Sequence, residues 1–376
     1  MEKCHIKRFK YLNHEIVFNN DINYIVGANG TGKTTLLQIM QYSLGLLSLP
    51  SYIKLEKTEI ELIVNNISHK FTRNFDSKKI NITSNNSDIA EFLVNSKEYN
   101  KFLINLFHPK IDITDSSKIK TIIKDIFHSS DFKNEIPQSY LTYMMLGVDK
   151  IYEDDIKKKI MILSEKIHEK ENIVSIINKF KDDVLRNLSL DNNSNIHEIM
   201  NDIYEKYKEE QLSEQSILEK SKRTFNSLKN ENDITLQKTL NYLHSLYIKY
   251  KIENIENNGH FDIKDFLFKK NEYCSAGEKT YRENISKLLI QSGHSYTSGV
   301  GILFNDYSPE FLSNESKHKI RTLAEVAYKN EGLQYIELVH STDNIDKSKI
   351  IHNLNDVHKV NKNKLFSILN RDIHNG

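Results

Sequence analysis

Gly27-Ala28-Asn29-Gly30-Thr31-Gly32-Lys33-Thr34-Thr35 fills a G-x-x-x-x-G-K-T pattern, and its flanks give the pattern meaning. Ahead of it, Ile22–Val26 is a short apolar run that predicts a strand; behind it, residues 35–40 carry the spacing of an amphipathic helix. Strand, glycine-rich turn and helix N-terminus together aim backbone N–H groups and the positive end of a helix at one spot, which suits a polyphosphate. On this reading Asn29, Gly30, Thr31, Gly32, Lys33, Thr34 and Thr35 cradle the phosphates of ATP. Lys33 reaches the β- and γ-phosphates and the Thr34 hydroxyl ligates Mg²⁺. With only 12 glycines in 376 residues, a chance match in this context is rare.

Composition narrows the class. The 52 basic residues nearly balance the 51 acidic ones, so no global basic field points to nucleic acid. A local basic surface stays open: Lys118, Lys120, Lys124, Lys157, Lys158 and Lys159 suit phosphate contacts or a plain solvated helix face. Cys4 and Cys274 lack the companions of a disulfide framework or a zinc site. No apolar run reaches the ~18 residues of a transmembrane helix, and Met1-Glu2-Lys3-Cys4-His5 is unlike a signal peptide. The expected location is cytoplasmic, with no membrane partner.

Three textures succeed one another. In residues 1–150 the strand candidates are 6–9, 15–18, 22–26, 60–64, 69–74 and 79–82. Loops are expected at 84–88 and 112–117, and helices at 98–107 and 118–127. In residues 151–258, Ile156, Ile160, Leu163, Ile167, Val174, Ile177, Val184 and Leu188 form a heptad-like seam among Lys and Glu. The seam breaks at 190–195 and again near 230–233. An antiparallel helical hairpin with its tip near 190–195 is expected, its first arm about 57 Å long at 1.5 Å per residue; a compact helical subdomain is the alternative. From residue 259 to 376 the α/β texture returns, with buried-strand candidates at 301–304 and Gln334–Val339 and a helix at 316–329.

The second half carries the resemblance that completes the site. Ser275-Ala276-Gly277-Glu278-Lys279, introduced by Tyr273-Cys274, resembles the signature of ABC-type ATPases, which begins a helix and binds the γ-phosphate of ATP held by a second subunit. A plain helix cap has the same residues. Ile302-Leu303-Phe304-Asn305-Asp306 resembles a Walker B strand ending in a Mg²⁺ acid. If Asp306 is that acid, Tyr307 stands where the family has a catalytic glutamate, Glu310 is the nearest replacement, and Leu312-Ser313 falls at the D-loop. If Asn305 takes the first position, Asp306 becomes the base and the Mg²⁺ acid is lost. The first register is preferred. Either way the hydrolytic step departs from the pattern, which implies slow or partner-dependent turnover. By the same resemblance His340 is the switch histidine and Gln138 the Q-loop contact to Mg²⁺. Arg73 is a phosphate-contacting arginine or a solvated strand residue.

The run Ile22-Asn23-Tyr24-Ile25-Val26-Gly27-Ala28-Asn29-Gly30 is similar to the opening of SMC and RecF-type proteins. The resemblance implies an α/β fold: an ABC-type P-loop NTPase head split in sequence by a coiled-coil-like helical hairpin. It implies ATP and Mg²⁺ as cofactors, and a homodimer or higher oligomer with ATP sandwiched between heads. The insert is short and lacks a C-x-x-C zinc hook, and no Toprim nuclease follows His340. In this it is similar to the ATPase subunits of bacterial anti-phage systems of the Septu or Lamassu kind, which implies a separately encoded nuclease or effector partner, with DNA as a further candidate. A DNA-repair ATPase with steady turnover and a non-hydrolysing, ATP-locked scaffold for a toxic partner are the alternatives.

Overall fold

The computed structural model describes residues 4–49, 56–75, 77–85, 87–107, 123, 138–187, 194–249, 262–268, 275–306, 312–342 and 345–356. The chain forms two compact units, Met1–Val148 with Thr235–Gly376, and Asp149–Ile234.

The first unit holds two sheets. Six antiparallel strands, β1 (His5–Tyr11), β2 (His14–Val17), β4 (Lys57–Val64), β5 (Ile67–Asn74), β6 (Lys79–Ser84) and β7 (Ser87–Leu93), run in the order β2-β1-β4-β5-β6-β7. Four parallel strands, β3 (Ile22–Val26), β8 (Ile302–Asn305), β9 (Gln334–Val339) and β10 (Ile350–Asn353), run in the order β10-β3-β9-β8. Parallel pairing requires crossovers. The helix α8 (Asn314–Glu331) supplies the one from β8 to β9. It starts at Ser313, whose side chain accepts from the Ser316 N–H, and stops at Gly332 in the left-handed region.

Side-chain alternation along the parallel strands sorts residues into two cores. Ile25, Ile302, Phe304, Ile336 and Leu338 face a core shared with α1 (Lys33–Ser43), α2 (Lys97–Phe107) and the antiparallel sheet. Ile22, Tyr24, Val26, Leu303, Tyr335 and Val339 face the other, against α7 (Ala276–Ser298) and α8. Burial on both faces explains why these strands read as continuous apolar runs. Gln334 stitches the sheets together: its side-chain oxygen accepts from the Ile6 N–H (2.8 Å), and its amide donates to the carbonyls of Ile6 (2.8 Å) and Asn19 (2.7 Å).

The second unit is an antiparallel helical hairpin. It comprises α4 (Lys150–Asn187) and the first part of α5 (Ser194–Lys249). The pairing proves the direction: Asn232 bonds Glu153 (3.0 Å), Lys170 pairs with Glu210 (2.9 Å) and Glu214 (3.2 Å), and Lys181 bonds Asn201 (2.6 Å). The first arm has the 38 residues expected.

Two sequence expectations need correction. The break expected near 230–233 does not occur, because α5 runs through it without interruption. Asn232 is buried and gives its amide to the Glu153 carboxylate, so its polarity serves a helix–helix contact and not a turn. The loop expected at 84–88 is mostly strand: Ser84 pairs with Ser87 in a tight hairpin, and left-handed Asn85 gives its side-chain oxygen to the Ser68 N–H. The helix expected at 118–127, the loop at 112–117 and the hairpin tip fall essentially outside the described residues. Among the described residues, no helix is long and apolar enough to cross a membrane.

Candidate functional site

All four parallel strands point their carboxyl ends the same way, so the segments leaving those ends line one edge. That edge is where open α/β sheets bind ligands. Gly27 comes after β3, Asp306 after β8, His340 after β9, and Leu354 and Asn355 after β10.

The loop after β3 is shaped by local constraints. Gly32 has φ +87° and caps α1, a conformation that L side chains rarely adopt. At Gly27 an added Cβ would lie 2.3 Å from Thr31 Oγ1 and 3.2 Å from Leu354 Cβ, so only glycine fits. The Thr31 hydroxyl donates back to the Ala28 carbonyl (2.8 Å). Lys33 Nζ donates to the carbonyls of Gly27 (2.6 Å) and Ala28 (3.0 Å). Burial pulls the Lys33 ammonium below its usual range, and the charge of Asp306 opposes that shift. Ala28, Asn29, Gly30 and Thr34 are exposed, and Thr35 is half-buried at the start of α1.

The decisive contact is across the sheet. Thr34 Oγ1 donates to Asp306 Oδ2 at 3.0 Å, although β9 lies between their parent strands β3 and β8. The alternation along β8 separates the two registers: Asn305 shares the face of Leu303, is buried, and gives its amide to the Tyr335 hydroxyl (2.7 Å). Asp306 therefore faces the loop and Asn305 faces the core. A hydroxyl and a carboxylate this close form the hard-oxygen pair that Mg²⁺ accepts when phosphates and waters complete its shell. Among the described residues there is no group of three or more His, Cys, Asp or Glu that could hold a metal ion.

His340 is exposed at the end of β9. Ser275 is exposed and caps α7, its hydroxyl accepting from the Glu278 N–H at 3.3 Å, with Gly277 in the first turn. Gln138 is the first residue of α3 (Gln138–Met145). Cys274, Tyr307 and Glu310 lie outside the described residues.

Arg73 lies away from the phosphate loop and is not a solvated strand residue. It is buried against the opposite end of α1, where Nη1 donates to the Tyr42 carbonyl (2.7 Å) and the guanidinium stacks over the Tyr42 ring. Asn355 was not foreseen: its side-chain oxygen accepts from the Ala28 N–H at 3.0 Å, from 327 residues away. No sequence motif announces it; only the placing of β10 beside β3 brings it to the loop.

No protein-family model matches this sequence, and no curated protein matches it. Solved structures similar in fold include the Smc head domain with an extended coiled coil bound to the C-terminal domain of ScpA, from Pyrococcus furiosus. It has a TM-score of 0.47 and 14% identity, over 96% of this chain and 99% of that one. Another is the Smc head domain with a coiled coil and joint from Pyrococcus yayanosii, with a TM-score of 0.47 and 12% identity, over 89% and 92% of the two chains. A third is an SmcHead bound to the C-winged helix domain of ScpA, with a TM-score of 0.44 and 12% identity, over 90% of each. The fold class stands on this chain's own topology: an α/β head with a phosphate-loop unit, interrupted in sequence by a helical hairpin.

Proposed function

We propose that the chain is an SMC-like ATPase head whose ATP-driven engagement with a second head is its output. The observation that carries this reading is the Thr34–Asp306 hydrogen bond, which joins the phosphate loop to the acid after β8 at the sheet edge where α/β proteins take ligands.

Each residue has its own share of the work. Backbone N–H groups of residues 29–35 and the N-terminus of α1 hold the phosphates. Lys33 leaves the loop carbonyls for the β- and γ-phosphates and lowers the energy of charge developing there. Thr34 and Asp306 would hold Mg²⁺, which supplies charge neutralisation between the phosphates. His340, exposed at the end of β9, orients the attacking water. Gln138 would add a Mg²⁺ contact, and Glu310 would take the water's proton. Turnover is slow, because Tyr307 comes after Asp306 where a glutamate is expected.

Each loop would face the Ser275-Ala276-Gly277 segment of the other head, whose helix α7 offers its positive end. Support comes from the exposure of Ser275 and Ala276 at the start of a 23-residue helix. By resemblance, the engaged heads act on a separately encoded nuclease or effector, in anti-phage defence, or on DNA. Light scattering of the full chain tests engagement. ATP should convert monomer to dimer in the wild type and fail to do so in Lys33→Ala and Ser275→Arg. ATP-dependent dimerisation that survives Ser275→Arg would refute the sandwich.

A further inference from the structure

A cavity at the far end of α1 takes no part in holding ATP. It measures 620 Å³ and is lined by Leu46, Ser48, Arg73, Lys78, Leu93 and Val94, among others. Arg73 is 7% exposed. Its Nη1 donates to the carbonyls of Tyr42 (2.7 Å) and Leu47 (3.4 Å), and its Nε donates to that of Ser77 (3.2 Å). All three acceptors are neutral. Among the described residues no carboxylate pairs with Arg73, and burial pulls its guanidinium below the usual arginine range.

Buried charges are ordinarily paired, because removing an ion from water is costly. The Tyr42 carbonyl in the last turn of α1 and the Leu47 carbonyl beyond it answer part of that need and engage Nη1. Among the described residues no partner for Nη2 is found, and it is not among the walled-in polar atoms. Lys78, exposed and lining the same cavity, is a second cation that forms no ion pair among the described residues. Leu46, Leu93 and Val94 give the same cavity an apolar side. Its size is in the range of small-molecule sites.

We propose that this cavity is a binding site for a small organic phosphate. The phosphate meets Arg73 Nη2 and the Lys78 ammonium, and the organic part lies on Leu46, Leu93 and Val94. The site is independent of the ATP reading, since it lies at the other end of α1 from the phosphate loop.

Calorimetric titration of the full-length Lys33→Ala protein with phenyl phosphate tests it with the phosphate loop disabled. Saturable binding is expected, at least about tenfold tighter than for inorganic phosphate. Adding Lys78→Glu should weaken it by about tenfold or more. Lys78 is exposed, so its reversal leaves folding intact, and an unchanged unfolding midpoint verifies that. Absence of saturable phenyl phosphate binding, or binding indifferent to Lys78→Glu, overturns the proposal.

Discussion

Thr34 and Asp306 stand 272 residues apart and share a hydrogen bond, yet each was visible in the sequence for its own local reason. The loop was legible because its chemistry is contiguous: glycine placements, lysine and threonine sit on adjacent positions between a strand and a helix. Asp306 was legible as the residue ending an apolar run; the structure turns it to Thr34 and turns Asn305 to Tyr335 in the core. Arg73 was not legible as a buried residue, because a strand arginine looks the same whether it meets phosphate, water or a helix end. Asn355 had no local signature at all. Its contact predicts that Asn355→Leu, by removing the acceptor for the Ala28 N–H, weakens ATP binding about fivefold, the size of one hydrogen bond of about 1 kcal/mol. Equilibrium dialysis should show this loss with an unchanged thermal midpoint, and rescue by Asn355→Asp. Unaltered affinity in Asn355→Leu would mean the loop holds its shape without that contact.

At the scale of elements, periodicity identified the hairpin arms, because a heptad-like seam repeats enough times to be unmistakable. Turn signals were less dependable. The polar cluster at 230–233 looked like a break and is helical, since Asn232 answers the buried Glu153 across the hairpin. The short strand β7 hid behind a serine- and asparagine-rich turn. Buried polar pairs of this kind decide element stability. Arg321 on α8 holds Glu337 of β9 through two bonds of 2.9 and 2.7 Å, and Glu337 is 1% exposed. Arg321→Ala removes the guanidinium paired with that buried carboxylate and should cost about 3–5 kcal/mol in urea unfolding. Adding Glu337→Gln should recover part of the loss. An Arg321→Ala cost near zero would show that water replaces the guanidinium.

For the whole molecule, the division of an α/β head by a helical insertion was readable from the change of texture along the chain. How the strands order themselves was not, because sheet order depends on contacts between distant segments. One global property arises from two histidines, His294, which is buried, and His352, which is half-buried. Burial pushes His294 down to about 4, although its contact with the Met145 carbonyl at 3.2 Å acts the other way. Burial and the neighbouring His14 push His352 down to about 4. Both are neutral in the folded state, while the unfolded chain takes up protons near pH 6.5. Stability is therefore full above about pH 6.5 and falls as pH drops towards 4, with His294 contributing on the order of 3 kcal/mol. Urea midpoints should decline between pH 7.5 and 5.0, and less steeply in His294→Gln. A flat profile in the wild type would contradict this origin of acid sensitivity.

On the proposed function, residues 27–34 and Asp306 form one Mg²⁺-ATP site, and equilibrium binding of ATP with and without Mg²⁺ decides it. Mg²⁺ should tighten ATP binding to the wild type, Asp306→Ala should abolish the Mg²⁺-dependent gain, and Lys33→Ala should abolish most binding. ATP binding by Lys33→Ala equal to wild type, or a Mg²⁺ gain untouched by Asp306→Ala, would contradict it.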